Sequence, residues 1–245
     1  MFLKNKNILV TGCGKGIGKE TVFSLVKEGA YVIAIIKLKQ DNKHFKGIKN
    51  MKIYNGDVQN KKLINKIYQD AKKRRLIIDG LVNNAGMRFR KNFLQISDEE
   101  LYNVFNVNFF SIFFLIKTFC SNLVKKKKNG SVVNISSIVG QKGFSQLSAY
   151  ASSKAALLGL TKSCAVEFAK NNIRFNSISP GFIKTSYYNK FKKKQNLYKW
   201  TISRIPQKKW GDSRDISNMI TFLLSDKASY ITGENINIDG GWIAS

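Results

Sequence analysis

Histidine is almost absent: His44, in a polar Lys- and Asn-rich segment, is the only one. A histidine-based metal centre and a Ser-His-Asp triad are therefore excluded as the basis of activity. No metal ligand set is expected, and His44 is read as a surface residue. Cysteine is scarce and odd in number: Cys13, Cys120 and Cys164 are far apart and no C-x-x-C occurs, which fits free thiols in a reducing compartment. With only two prolines, no Pro/Gly/Ser-rich linker, composition shift or internal repeat divides the chain, and residues 1–245 are expected to form a single domain. Long apolar runs are missing too. The longest lies within residues 109–116, between Asn108 and Lys117, too short to span a bilayer. The first residues lack the apolar core and small-residue cleavage site of a signal peptide. These absences lead us to expect a soluble cytoplasmic protein with no membrane partner.

Acidic residues are also few, 15 against 42 Lys and Arg, giving a net charge of +27. That excess could attract a polyanion such as nucleic acid or an acidic carrier protein. The lysines are spread along the whole chain, however, and abundant Asn and Ile with little Pro suit compositional drift under A·T-rich codon usage. A nucleic-acid partner is thus the less favoured reading. The densest runs, residues 125–128 and 190–194, are where a functional patch would lie.

What is present is a regular alternation. Short apolar runs at residues 7–11, 31–36, 51–54, 76–83, 130–136, 173–177 and 235–238 read as strands. Between them, residues 19–28, 61–74, 98–119, 149–171 and 212–224 read as helices, the third with Ser97 and Glu100 at reciprocal capping positions. Strictly alternating elements imply parallel strands joined by right-handed crossovers: an α/β, Rossmann-like doubly wound parallel sheet in three α/β/α layers. Ligands on such a sheet bind at the carboxyl ends of strands.

Two constellations fall on that edge. Thr11-Gly-Cys-Gly-Lys-Gly-Ile-Gly18 follows the first strand and opens the first helix. Gly12 permits a tight turn, Gly16 a close backbone approach to pyrophosphate and Gly18 close helix–strand packing, while Gly14 adds a fourth glycine. The helix N-terminus then faces phosphate with free N–H groups. The second constellation is Tyr150-Ala-Ser-Ser-Lys154 with Ser137 upstream. Helical i, i+4 spacing puts the phenol and the ammonium on one face. A nearby positive charge is expected to pull the phenol below its ordinary pKa near 10, and the Ser137 hydroxyl could hold a carbonyl oxygen beside it. That is minimum equipment for reducing a ketone with an external hydride donor.

These segments, with Asn83-Asn84-Ala85-Gly86, Asn108, Pro180-Gly181 and the ending at residues 230–242, resemble in order and spacing the motifs of the short-chain dehydrogenase/reductase family. Within it the likeness is to 3-oxoacyl-[acyl-carrier-protein] reductases; sugar-acid and polyol dehydrogenases look similar. The resemblance implies roles residue by residue. Tyr150 is the proton donor in reduction, Lys154 binds the nicotinamide ribose and lowers the phenol's pKa, Ser137 orients the carbonyl, and Asn108 positions a relay water. Asn83 steadies the central strands while Ala85 and Gly86 line the cofactor cleft. Asp57 with Val58 meets the adenine, Ile17 lies in the glycine turn, and Pro180, Gly181, Ile183 and Thr185 close over the nicotinamide.

The family's acidic position after the second strand aligns with Ile36, followed by Lys37, and Lys15 precedes Gly16. Both lysines favour NADP(H), with NAD(H) possible. The resemblance also implies a homotetramer, with contacts from the 98–119 and 149–171 helices and the last strand. Residues 186–206, with Tyr187, Tyr188, Phe191, Tyr198 and Trp200, would form a substrate lid. The 125–128 lysines and Lys170 stand where such reductases meet their carrier, although Asn171 occupies a spot often basic there. Arg88, Arg90 and Lys91 could instead bind a substrate carboxylate, favouring a small-molecule acid over a carrier-bound acyl chain. A cofactor- or RNA-binding regulatory protein is the distant alternative.

Overall fold

The computed structural model describes residues 1–186 and 188–245. The chain runs β1 (Asn7–Thr11), α1 (Gly16–Lys27), β2 (Tyr31–Ile36), β3 (Met51–Asn55), α2 (Lys61–Lys73), β4 (Gly80–Asn83), α3 (Asp98–Phe105), α4 (Ser111–Lys126), β5 (Gly130–Ile135), α5 (Ser148–Phe168), β6 (Ile173–Pro180), β7 (Ile183–Lys184), α6 (Tyr188–Lys192), α7 (Gln195–Arg204), β8 (Gly211–Asp212), α8 (Ser213–Leu224) and β9 (Asn235–Ile238). Seven strands form one parallel sheet in the order β3-β2-β1-β4-β5-β6-β9, and β7 pairs with β8 alone. The order reverses between β1 and β4, opening a crevice at their carboxyl ends.

Each central strand buries side chains on both faces. Ile8, Val10, Val32, Ala34 and Ile36 pack into one core with α1 and α8, while Leu9, Ile33, Ile35 and Leu81 pack into the other with α2, α4 and α5. This explains the near-continuous apolar runs: alternate residues meet opposite helical layers. Local signals set the boundaries. Gly29, at φ 92°, follows the end of α1. The Asn60 side chain accepts from the N–H groups of Lys62 and Leu63 to start α2, and Ser97 with Glu100 closes a capping box on α3.

Three elements differ from the sequence reading. The helix expected at 98–119 is one helical run, Asp98–Lys126, interrupted by a π segment over Asn106–Phe110 and ended by Lys127 in the left-handed region. By length and composition this run is apolar enough to cross a bilayer, yet Ile112, Leu115, Phe119 and Leu123 are fully packed into the core. Its reach exceeds any single apolar stretch because its apolar face is discontinuous in sequence. The 149–171 helix becomes 3-10 at Ala169–Asn171. The segment after β2, unassigned from sequence, forms a 3-10 helix over Lys39–Phe45.

The expected lid contains α6 and α7. It is held to the body by a third cluster of Ile138, Phe191, Ile205, Trp210 and Trp242, and Trp210 Nε1 donates to Thr201 Oγ1 at 2.8 Å. The expectation at Tyr187, and that for the side chain of Lys190, lie outside the described residues.

Candidate active site

The glycine turn is locked to the end of β4 before any side-chain chemistry is considered. Thr11 Oγ1 accepts from the backbone N–H groups of Asn84 and Ala85, both at 3.0 Å, and Asn84 Nδ2 donates to the carbonyls of Thr11 and Gly12, also at 3.0 Å. A side chain at Gly12 would stand 2.8 Å from the Ala85 Cα, and one at Gly18 would collide with the Gly12 carbonyl. Gly12 and Gly16 sit at φ 70° and 55°, where other residues are strained. Lys15 caps α1 without a side-chain bond, and the first turn carries no acidic residue. The N–H groups there are therefore left for an anion. These features fit a dinucleotide pyrophosphate.

From this turn a cleft of about 570 Å³ runs to the ends of β5 and β6. Lys15, Ile17, Gly86, Ser137, Tyr150, Lys154, Pro180, Gly181, Ile183 and Thr185 line it, so the cleft brings together half of the residues singled out from sequence. Phe144, Phe182, Phe191 and Trp210 add an apolar wall. Ser137 follows β5 in extended backbone and accepts from Val139 N–H at 3.3 Å. Its hydroxyl also hydrogen-bonds the Tyr150 phenol. Ser136 Oγ, next in chain, donates to the Lys154 carbonyl at 2.9 Å and pins β5 to α5.

Lys154 is 4% exposed, and its Nζ donates to the Ile135 carbonyl at 2.8 Å. Among the described residues it has no carboxylate partner, and burial lowers its pKa to about 8. The phenol behaves differently from the sequence expectation. Burial raises the Tyr150 pKa above its ordinary value, and the Ser137 hydrogen bond and the positive charge of Arg88 only partly offset that. The Lys154 ammonium lies 6.0 Å from the Tyr150 ring centre and is turned to a backbone carbonyl. Desolvation of the phenolate therefore outweighs the neighbouring charge.

Asn108 is fully buried in the π segment. Its Oδ1 accepts from Met87 N–H at 2.8 Å, and its Nδ2 donates to the Met87 carbonyl and to Ser153 Oγ, both at 3.0 Å. A side chain at Gly86 would stand 3.2 Å from Asn108 Oδ1 and 3.4 Å from Lys154 Nζ, so the amide and the ammonium flank the same small residue. Asn83 is also fully buried, and its Nδ2 donates to Asn134 Oδ1 at 2.8 Å, joining β4 to β5.

Lys37, Asp57 and Val58 lie outside that cleft's lining, at the ends of β2 and β3. Lys37 Nζ pairs with Asp57 Oδ2 at 2.7 Å. Burial alone would raise Asp57, but hydrogen bonds from Lys37 and Gln59 more than offset it and hold the carboxyl below its ordinary value. Val58 buries its side chain in the core. The three basic residues after Gly86 separate as well. Arg90 Nε donates to Gln146 Oε1 at 2.9 Å, Lys91 Nζ bonds both Glu100 oxygens, and Arg88 lines the cleft. Sequence reasoning missed Ser153 and the Ile135 carbonyl, which hold Asn108 and Lys154. The i, i+4 logic that paired Tyr150 with Lys154 has no counterpart for them.

The sheet, its crevice and these residues define a nucleotide-linked redox enzyme. The family model described as enoyl-(acyl carrier protein) reductase matches residues 12–243, and the chain belongs to the short-chain dehydrogenase/reductase family. It is an NAD(P)-dependent oxidoreductase acting on CH–OH or carbonyl groups. It is 37% identical to the 3-oxoacyl-[acyl-carrier-protein] reductase FabG of Thermotoga maritima, over 99% of this chain and 100% of that protein. Among solved structures it is similar to 4-hydroxyisoleucine dehydrogenase complexed with NADH, at TM-score 0.92, 34% identity and coverage of 98% and 99%. A protein of Agrobacterium tumefaciens with bound NADP superposes at TM-score 0.89 and 31% identity, covering 99% and 98%.

Proposed function

We propose that the chain reduces the 3-keto group of an acyl thioester carried on acyl carrier protein. The observation that carries this reading is the apolar wall of Phe144, Phe182, Phe191 and Trp210 beside Tyr150, suited to an acyl chain. The likeness to the Thermotoga reductase supports it, as does the cationic surface, with the 125–128 lysines and Lys170 available to an acidic carrier.

Within this reading the chain folds as one domain, and residues 186–206 cover bound substrate. The glycine turn and the α1 N-terminus hold the pyrophosphate, Asp57 and the Val58 backbone meet the adenine, and residues 180–185 cover the nicotinamide. NADP(H) is the favoured dinucleotide on Lys15, which lines the cleft, whereas Lys37 is held by Asp57. When bound, the dinucleotide supplies the hydride. Ser137 and Tyr150 donate hydrogen bonds to the carbonyl oxygen as negative charge builds there, and Tyr150 gives up its proton. A phenol held protonated by burial suits the reductive direction. Lys154 binds the nicotinamide ribose, and Asn108 steadies the route by which the proton is replaced.

Self-association as a homotetramer belongs to the same reading. Phe110, Phe113 and Phe114 on the α3–α4 run and Val166 on α5 are exposed apolar residues, arranged to meet another copy.

A second reading is favoured by Arg88. Its charge reaches the Tyr150 phenol within the cleft, where it would hold a carboxylate close to the reacting carbon of a hydroxy or keto acid. Following NADPH and NADH oxidation with acetoacetyl thioesters and with keto acids separates the two. Rapid turnover of a keto acid with no thioester turnover would overturn the first.

A further inference from the structure

We propose that Asp41 reads the 2′ position of the adenosine ribose, accepting from its hydroxyl and opposing a 2′-phosphate, so that the site takes NAD(H) as well as NADP(H). The inference uses the dinucleotide placement above and is independent of the carbonyl substrate. β2 ends at Ile36, which carries no charge, and Lys37 is already engaged with Asp57. The chain then forms the 3-10 helix Lys39–Phe45. Phe45 is 4% exposed and packs against Phe23 in a tilted arrangement, 5.5 Å between ring centres. The side-chain amides of Asn42 and Asn55 exchange hydrogen bonds of 2.9 and 3.0 Å. The Lys37–Asp57 pair before Asp41 and the Asn42 and Phe45 contacts after it fix its place.

That place is against the glycine turn. A side chain at Gly14 would collide with the Asp41 carboxylate and would stand 3.1 Å from its Cγ. Gly14 thus leaves room for this carboxylate, two residues before the φ 55° turn at Gly16 that starts α1. Among the described residues the Asp41 carboxylate has neither an ion pair nor a hydrogen-bond partner, in a chain with 42 Lys and Arg. An acidic residue about 20 positions past a glycine turn is where a ribose hydroxyl finds its acceptor. Here that residue is supplied by the 3-10 helix instead of the strand end. A fixed carboxylate there gains a charge-assisted hydrogen bond from a hydroxyl and repels a phosphate.

Binding of NADH and of NADPH, each titrated by nicotinamide fluorescence, tests this on the parent and on Asp41→Asn and Gly14→Ala. The asparagine removes the charge at the same size, and the Gly14→Ala methyl pushes the carboxylate out of place without touching it chemically. In both variants the affinity ratio of NADPH over NADH should rise about tenfold or more, and the ratio of kcat/KM values should move the same way. A ratio within about twofold of the parent in both variants overturns the proposal. So does equal weakening of both dinucleotides, which would mark Asp41 as structural only. A parent that binds neither overturns it together with the dinucleotide site, whereas failure of the acyl-thioester reading leaves these ratios untouched.

Discussion

The two ends of the cofactor cleft are held in opposite ways. At the Tyr150 end, the polar groups issue from strand ends and long helices and are tied down by buried partners: Lys154 to the Ile135 carbonyl, Asn108 to Met87 and Ser153, Ser136 to the Lys154 carbonyl. At the far end, Asp41 sits on a short 3-10 helix, and the Lys37–Asp57 pair has its lysine side chain 72% exposed. Rigid surroundings leave one sequence spacing able to build the first end. The second can draw a charge from any of several positions on a loop, so there the spacing alone decides little.

The sharpest way to break this contrast is Tyr150→Phe. Loss of the proton donor should lower carbonyl reduction by about 10³-fold, with NADH and NADPH binding little changed; a loss below about tenfold would show that the buried end is not where the chemistry happens. Ser137→Ala, which removes one donor to the oxyanion, should lower kcat by about 10²-fold in the same assay.

Lys154 sharpens the contrast through pH. Its folded pKa of about 8 lies below the ordinary 10.5. The kcat/KM for reduction should therefore fall as pH rises through about 8, where the free enzyme loses the ammonium. Stability should move the other way. Between about 8 and 10.5 the unfolded chain binds more protons than the folded one, so stability rises with pH across that window and is lowest below it. Lys154→Met should accordingly raise Tm at pH 7, with the gain shrinking toward pH 10. A flat difference in Tm across that range would contradict the burial of a charged lysine.

Asn108→Ala and Lys37→Met compare the ends directly by chemical denaturation. The first leaves the Met87 N–H and carbonyl without partners and should destabilise by about 1–3 kcal/mol. The second removes an exposed ion pair and should change stability by less than about 1 kcal/mol. Equal effects would erase the distinction.

The sheet was legible in the sequence because its central strands are sandwiched between helices, and burial on both faces leaves an apolar run that a window can see. The glycine turn and the Tyr150, Lys154 and Ser137 group were legible for a related reason: each lies within one turn or one helical face, or at a strand end. The π segment was not: the buried amide it carries, Asn108, meets Met87, 21 residues away. Nor was the direction of the Tyr150 shift, because proximity of a cation is visible in spacing and desolvation is not. Lys37 was read as available to a phosphate; its pairing with Asp57 depends on β2 and β3 lying side by side. Asp41 was passed over because its contact with Gly14 spans two loops.

The widened turn at Asn106–Phe110 has a consequence for how this chain can change over evolutionary time. Deleting one residue there would restore a regular helix with Phe119 and Leu123 still facing the sheet-side core, but it would remove the wide turn that presents the Asn108 amide inward. A deletion in the regular helix that follows instead swings everything after it by about 100° and turns Leu123 out of the core. Length in this helix is therefore locked from both directions, and single-residue insertions or deletions should be tolerated in the loop before α3 far better than between Asn106 and Leu123.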